Sequence, residues 1–317
     1  MSKIIIASRG SRLALWQSEH IASRLMAAHE GLETEIKVFK TQGDIILDTP
    51  LAKIGGKGLF TKELEDAILR GEAHIAVHSL KDVPVELPSG LILAGVTARA
   101  DRRDALVSDK YSGLDSLPRG AVVGTTSLRR RMQLLAIRPD LIIKNLRGNL
   151  QSRFEKLKNG LFDAIILAYA GLERLNMMRE AKYVAPFETD IIVPAMGQGI
   201  LAVECSSGED NLLAMLSPLF DEIADIESKI ERRFVERLQG GCQAPIGVSA
   251  EVFTGGTIYA RGVVGLPNGK NILSAEVRGG VSMANELGEA LAEKLIALGA
   301  KETIARAEIM ANGLSDE

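Results

Sequence analysis

The sequence is poor in aromatic residues, and it lacks long apolar runs. Phe, Trp and Tyr make up only 4% of its 317 residues, which argues against a platform that stacks single-stranded nucleic acid. No apolar stretch approaches the roughly 20 residues that span a bilayer. The first apolar run, residues 4–7, stops at Arg9 and is too short for a signal peptide. These absences predict a cytoplasmic protein without a membrane partner.

Cysteine is also scarce, and there is no excess of positive charge. Cys205 and Cys242 have no metal-ligand spacing and are too few for a disulfide framework, so a reducing compartment is expected. The formal net charge of −3 gives no global attraction for nucleic acid. His74 and His78 are four residues apart without a third ligand, so no metal site is expected.

Short apolar runs alternate with helical patterns through the first two thirds of the chain. Strands near residues 4–7, 35–39, 74–78, 91–96, 121–123, 141–143 and 164–168 predict α/β architecture with mainly parallel sheets. The last third changes character, with a long helical stripe ending near Leu238, three strand-like runs and a closing helix. It predicts a small α+β domain, in which residues 267–269 form a hairpin turn.

The densest chemical signal is basic and lies where predicted strands turn into helices. Arg129 and Arg130 follow the hydroxyl residues 125–127, and Arg147 with Arg153 follows the next strand. Arg9 precedes Ser11 in the same arrangement. Ligands of open α/β sheets bind at carboxyl ends of strands, and guanidinium groups bind carboxylates with two hydrogen bonds. A site for a polyanion is predicted; a solvated basic helix face is the alternative.

A second signal is the segment His78-Ser79-Leu80-Lys81-Asp82, which follows an apolar strand. A carboxylate at a strand end can transfer protons or stabilise a cation. The alternative is an ordinary surface turn in which Asp82 bonds its own backbone.

A third signal is Cys242, which follows two glycines and precedes Pro245 in a tightly specified loop. An exposed thiol is usually avoided unless it is used. A small buried hydrophobic residue is an equally good interpretation of the loop alone. Cys205 follows an apolar run and is predicted to lie in the core.

Taken together, these motifs resemble those of the porphobilinogen deaminase family. The matching stretches, in order, are SRGSRLAL (8–15), TQGD (41–44), KIGGKGLF (53–60), AVHSLKDVP (76–84), GTTSLRR (124–130), LRGN (146–149), DAIILA (163–168), PAMGQG (194–199), EC (204–205) and LQGGCQ (238–243). They cover essentially the whole chain. The departures are small: Thr126, Gln239 and Ala244 stand where the family commonly has Ser, Glu and Val.

The resemblance implies a three-domain fold. Two α/β domains similar to periplasmic-type binding proteins comprise residues 1–98 with 198–217 and residues 99–197, and the chain crosses between them twice. Residues 218–317 form the α+β domain that carries Cys242. The resemblance also implies a dipyrromethane cofactor joined to Cys242 by a thioether. Four porphobilinogen molecules would be added to it head to tail with loss of ammonia, and hydroxymethylbilane would be released. The enzyme would be a monomeric cytoplasmic transferase of haem biosynthesis.

The same resemblance assigns roles to residues. Asp82 would stabilise the cation that ammonia loss leaves on the substrate and would move protons. The expected substrate- and cofactor-binding residues are Arg9, Ser11, Gln17, Lys53, Lys57, Phe60, Ser79, Lys81, Thr125, Thr126, Ser127, Arg129, Arg130, Arg147, Gly148, Arg153, Arg174 and Gln198.

Two other functions compete with this interpretation. A non-enzymatic solute-binding protein would use the same architecture, but such proteins usually carry an export signal. A thiol hydrolase with Cys242 as nucleophile would be inactivated by alkylation, whereas a cysteine capped by a cofactor would resist it.

Overall fold

A computed structural model describes residues 2–45, 58–240 and 244–313. Contacts within the chain group these residues into two compact units. Unit 1 contains the described residues within Met1–Leu47, Gly56–Ala100 and Gly199–Asp225. Unit 2 contains those within Asp101–Gln198 and Ile226–Glu317.

Unit 1 is built on a five-stranded mixed sheet. Its strands are β1 (Lys3–Arg9), β2 (Glu33–Phe39), β3 (Ile75–Ser79), β4 (Leu91–Val96) and β10 (Leu201–Ser206), numbered along the whole chain. The strand order is β2-β1-β3-β10-β4. β1 is parallel to β2 and β3, whereas β10 is antiparallel to β3 and β4.

Helices cover both faces of this sheet: α1 (Arg12–Ala28), the short α2 (Gln42–Ile45), α3 (Lys62–Leu69) and α7 (Asp210–Leu216). Ser11 caps α1, because its hydroxyl accepts a hydrogen bond from the Ala14 amide at 3.2 Å. Ile21 and Leu25 of α1 pack against Ile4 and Ile6 on one face of the sheet. On the other face, small residues of the strands let α3 approach closely.

Unit 2 contains a second five-stranded sheet with the same pattern. Its strands are β5 (Asp104–Ser108), β6 (Val122–Gly124), β7 (Ile142–Lys144), β8 (Ala164–Ala168) and β9 (Tyr183–Pro186). The order is β7-β6-β8-β5-β9, with β6 parallel to β7 and β8, and β5 antiparallel to β8 and β9. The helices are α4 (Leu128–Ile137), α5 (Leu150–Lys158) and α6 (Tyr169–Arg174).

The last part of the chain forms a three-stranded antiparallel sheet with helices. It comprises α8 (Glu222–Leu238), β11 (Ile246–Val252), β12 (Thr257–Val264), β13 (Leu273–Gly280), α9 (Ala284–Ala297) and α10 (Ala300–Gly313). Phe234, Leu291 and Leu295 are fully buried. The predicted hairpin turn is confirmed: the Gly269 amide donates to the Leu266 carbonyl at 2.9 Å, and Gly269 has a φ of 78°.

The predicted fold class, two α/β sheets and a smaller α+β part, is confirmed. The sheets differ from the expectation in one respect, since each contains one antiparallel strand, β10 or β5. The chain reaches β10 from unit 2 and β5 from unit 1, and not through a crossover helix within the same sheet. A parallel neighbour needs such a crossover, so neither strand is required to run parallel. The division into three domains stays a prediction, because unit 2 contains both the second and the third expected domain.

Among the described helices, none combines the length and apolar character needed to cross a bilayer.

Candidate functional site

A small pocket in unit 1 brings together six of the predicted site residues. It lies at the carboxyl ends of β1 and β3 and is lined by Arg9, Ser11, Leu13, Ala14, Gln17, Phe60, Thr61, Val77, His78, Ser79 and Asp82. The wall therefore carries a guanidinium group, hydroxyls, a carboxylate and an imidazole. This donor-rich composition fits an anionic small molecule at the strand ends.

Contacts within the pocket fix the orientation of several of these side chains. The buried Gln17 of α1 donates from Nε2 to the Ser79 hydroxyl at 2.9 Å. The Arg9 guanidinium lies over the Phe60 ring, 4.3 Å from its centroid, a cation–π arrangement. Gly43 leaves the space that the Phe60 ring occupies, because a Cβ there would overlap the ring. A side chain at position 43 would therefore displace the Phe60 ring that lies against Arg9.

Asp82 ends the 3₁₀ turn Leu80–Asp82 that follows β3. Its side chain is exposed on the pocket wall and makes no hydrogen bond to any described residue. The turn is closed by the Val83 amide, which donates to the Leu80 carbonyl at 3.1 Å. The carboxylate is therefore not used to cap its own turn and is available to a ligand. Lys81 lies half-buried in the same turn.

In unit 2, predicted hydroxyl residues form the loop between β6 and α4. The Thr126 hydroxyl donates to the Leu146 carbonyl at 3.1 Å, and the Ser127 amide donates to Thr125 Oγ1 at 3.2 Å. Ser127 caps α4 by accepting from the Arg130 amide at 3.4 Å. The predicted helix start is thus present: Thr125 and Ser127 bond backbone amides of the same segment, and Thr126 bonds the loop after β7.

Arg129 and Arg130 share one buried carboxylate that the sequence motifs do not include. Asp104, fully buried at the start of β5, accepts from Arg129 Nη1 at 2.6 Å and from Arg130 Nη2 at 2.7 Å. Gln198 Nε2 donates to the same carboxylate at 3.0 Å. Burial alone would raise the pKa of Asp104, but the two guanidinium charges outweigh it and hold that pKa well below its usual range. Two cations and one anion leave this cluster with a net positive charge.

Other predicted residues of unit 2 follow β7 and β8. Arg153 of α5 donates from Nε to the Gly148 carbonyl at 2.8 Å. Gly148 has a φ of 107°, and a Cβ at this position would run into the Ser152 hydroxyl, so only glycine fits. Arg147 is half-buried in the same loop. Arg174 ends α6, and burial lowers its pKa to about 10.

Three predicted residues, Lys53, Lys57 and Cys242, lie outside the described part of the chain, so their placement stays a prediction. Cys205 is a buried thiol of β10, as expected, and burial raises its pKa to about 11. Within the described ranges, no cluster of three or more His, Cys, Asp or Glu side chains could hold a metal ion.

Sequence reasoning assigned no role to two buried acids, Asp104 outside the motifs and Glu204 within the matching stretch EC. Asp104 begins the apolar strand β5, and Glu204 lies inside the apolar strand β10, where its carboxylate contacts His78 Nε2 at 2.9 Å. An acidic residue inside an apolar run is the signal that could have found them, because buried charges are almost always paired.

The fold and the pocket define an α/β protein with a donor-lined pocket at its strand ends. A family model described as "Porphobilinogen deaminase, dipyromethane cofactor binding domain" matches residues 4–214, and "Porphobilinogen deaminase, C-terminal domain" matches residues 226–297. Porphobilinogen deaminase of a Nitratiruptor species is 56% identical over 309 residues, covering 98% of each chain. That of Sulfurimonas denitrificans is 54% identical, covering 98% of this chain and 99% of its own. The chain belongs to the porphobilinogen deaminase family, which confirms the resemblance.

Among solved structures, an ancestral arginine-binding protein bound to arginine matches 69% of this chain and 91% of its own length. The sequence identity is 14% and the TM-score 0.38. A likeness at this level supports no inference about function.

Proposed function

We propose that this protein is an ammonia-releasing transferase that joins four porphobilinogen molecules head to tail and releases hydroxymethylbilane for tetrapyrrole and haem biosynthesis. The observation that carries the proposal is the match of both family domains across residues 4–214 and 226–297. The protein works in the cytoplasm as a monomer, with no nucleic acid or membrane partner. Light scattering tests the oligomeric state, since a monomer has a mass of 34.1 kDa plus any cofactor.

A dipyrromethane cofactor is proposed on Cys242 through a thioether. Its carboxylates need cationic and hydroxyl donors, and the pocket of unit 1 supplies these in Arg9, Ser11 and Ser79. When bound, the cofactor supplies the pyrrole carbon from which the product chain grows. A covalent anchor makes each addition effectively intramolecular, which favours the next step over loss of the unfinished chain.

The other proposed roles follow from side-chain chemistry. Each pyrrole of the substrate carries two carboxylates, so the product chain is a polyanion. The proposed carboxylate ligands and positioning residues of unit 1 and of the undescribed segment are Arg9, Ser11, Gln17, Lys53, Lys57, Phe60, Ser79 and Lys81. Those of unit 2 are Thr125, Thr126, Ser127, Arg129, Arg130, Arg147, Gly148, Arg153, Arg174 and Gln198. The net positive charge of the Asp104 cluster supports an anion near Arg129 and Arg130.

Asp82 is proposed to act on the substrate directly. Loss of ammonia leaves a positive charge on the substrate, and an ionised carboxylate in the pocket wall stabilises that charge. The same oxygens can accept or return a proton during ring coupling, an effect typically worth about 10²–10⁴ in rate. The absence of any hydrogen bond from Asp82 to a described residue supports this assignment.

Intact-mass measurement tests the cofactor. Protein purified from cells that make porphobilinogen should exceed the chain mass by one dipyrromethane unit, and Cys242→Ser should have the unmodified mass. An unmodified wild-type mass contradicts the proposal.

Asp82→Ala tests the catalytic assignment, with Asp115→Ala as its control. Asp115 is also an exposed aspartate in a 3₁₀ turn, Leu114–Ser116, but it belongs to unit 2 and does not line the pocket. Asp82→Ala should keep the cofactor mass and lose about 10²–10⁴ in kcat. Asp115→Ala should keep the wild-type kcat. Equal kcat values in both variants would remove Asp82 from catalysis.

A further inference from the structure

A buried polar cluster lies beneath the pocket of unit 1, on the sheet face that packs against α3. In the antiparallel ladder of β3 and β10, His78 is opposite Ala202 and Glu204 is opposite Ala76. The two polar side chains therefore share one face and meet diagonally, with His78 Nε2 2.9 Å from Glu204 Oε2. His78 is 5% exposed and Glu204 is fully buried.

In a purely structural role, buried polar groups such as these would be expected to have hydrogen-bond partners. Glu204 Oε1 and Glu65 Oε1 are both buried without a hydrogen-bond partner among the described residues. Burial raises the pKa of Glu65, and the charge of the nearby Glu204 adds to the rise. Replacing a buried ion pair by apolar residues is often neutral or stabilising, so packing alone does not account for a polar cluster at this position.

The two ring nitrogens of His78 have different surroundings. A carboxylate accepts hydrogen bonds, so the tautomer that fits this contact has its proton on Nε2, which donates to Glu204. Nδ1 makes no hydrogen bond within the described part of the chain. Since Nε2 carries the proton in the neutral ring, Nδ1 is the basic nitrogen. His78 also lines the pocket that contains Asp82.

We propose that His78 is a proton-accepting residue of this pocket and that Glu204 is its positioning residue. A buried carboxylate that holds one histidine nitrogen fixes the tautomer and stabilises the imidazolium that forms when the other nitrogen takes a proton. Glu65 lies close enough to Glu204 and His78 to interact electrostatically with both.

The inference rests on the proposed function and divides its roles: Asp82 stabilises the cation, and His78, not Asp82, takes the proton of the attacking ring. Ammonia leaves the substrate with the electron pair of its C–N bond, and the methylene carbon becomes electrophilic. A second pyrrole ring forms a C–C bond to this carbon. The attacking ring carbon then loses its proton to His78 Nδ1, and the C–H electron pair restores the aromatic ring. The imidazolium returns the proton to the released ammonia, so ammonium leaves and His78 is neutral again.

The charged groups around His78 come from four elements. Glu204 lies on β10, Glu65 on α3, Asp82 on the turn after β3, and Arg9 at the end of β1. Of these, only Glu204 contacts the imidazole through a hydrogen bond. A change at Glu204 should therefore be the one that alters the basicity of His78 most directly.

His78→Gln is the principal test. The glutamine amide can still donate to Glu204 but has no basic nitrogen. We expect wild-type cofactor mass, wild-type KM and a kcat about 10²-fold lower. The matched control is His74→Asn, one residue before the same strand, where the asparagine oxygen can replace Nδ1 as acceptor of the Ile5 amide, a bond of 2.8 Å. The control should keep the wild-type kcat.

Glu204→Gln tests the positioning role. Its amide oxygen can still accept from His78 Nε2, but the counter-charge of the imidazolium is lost. The acid limb of the kcat–pH profile should move to lower pH, and the His78→Gln/Glu204→Gln double variant should be no slower than His78→Gln alone, because the two residues act as a unit. An unchanged profile with only lowered stability would show that Glu204 is structural.

A measurement on the wild-type protein keeps the proposal testable if a variant fails to fold. The chain has only four histidines, so ¹⁵N spectra of the rings can be assigned by substitution. The expected result is a neutral His78 ring with its proton on Nε2 at the pH of activity. A proton on Nδ1 at that pH, or a wild-type kcat in His78→Gln, overturns the inference. Failure of the wild-type protein to convert porphobilinogen would instead overturn the proposed function.

Discussion

Asp104→Asn should be among the most destabilising conservative substitutions in unit 2. The carboxylate is fully buried and is the shared partner of Arg129 and Arg130, which are 4% and 7% exposed. Arginine stays protonated at all accessible pH values, so the substitution leaves two buried positive charges without their counter-charge. Removing one partner of a buried ion pair costs about 3–5 kcal/mol, and we expect a loss in this range.

Urea unfolding with hydrogen exchange as a local probe measures this loss. The free energy of opening should fall for amides of β5 and α4, the elements that carry the three charged groups. Glu180→Gln is the control, because it breaks the Lys158–Glu180 pair, whose side chains are 50% and 49% exposed, and should change stability little. A loss below about 1 kcal/mol in Asp104→Asn would refute the reasoning, since that is the range of surface pairs.

The same carboxylate predicts a dependence on pH. The pKa of Asp104 in the folded protein lies below its unfolded value of about 3.9. Its contribution to stability is therefore present above about pH 5 and is lost as the pH falls toward the folded-state pKa. The difference in unfolding free energy between wild type and Asp104→Asn should shrink on acidification. A constant difference would show that the carboxylate charge is not responsible.

Two further predictions concern backbone strain and thiol chemistry. Gly148→Ala should lower the free energy of unfolding more than Gly160→Ala. Both glycines have a positive φ, which costs an alanine roughly 1–2 kcal/mol. Only at position 148 would the added Cβ also overlap Ser152. Equal losses would rule out the overlap. In denaturant, iodoacetamide should add one label, at Cys205, because the thioether caps Cys242; two labels would mean an uncapped thiol. The native protein should add none, since Cys205 is buried and its pKa is raised to about 11.

Local patterns predicted most elements to within a few residues. The strands expected near residues 91–96 and 164–168 coincide with β4 and β8. Their apolar runs are local signals that extend over only a few residues. The long helical stripe expected to end near Leu238 ends there as α8, and the next residue, Gln239, takes the left-handed conformation with a φ of 57°.

Side-chain partners were less predictable than side-chain types. The family resemblance assigned substrate-related roles to Arg9, Gln17, Ser79 and Asp82, and the structure places these four residues around one pocket. The hydrogen bond from Gln17 to Ser79 joins residues 62 positions apart, so no local pattern contains it. The arginine motif likewise gave no sign that Asp104 lies between Arg129 and Arg130.

The two missed acids have a common structural origin. Asp104 and Glu204 lie on β5 and β10, the strands in the fourth position of their sheets and the ones that run antiparallel. Each acid contacts basic side chains of one of the sequence motifs: Asp104 contacts Arg129 and Arg130 in one sheet, and Glu204 contacts His78 in the other. Because both strands enter from the other unit, their partners are distant in sequence. The positions of the motifs could therefore be inferred locally, whereas the acids that neutralise or orient them depend on the strand order of the whole fold.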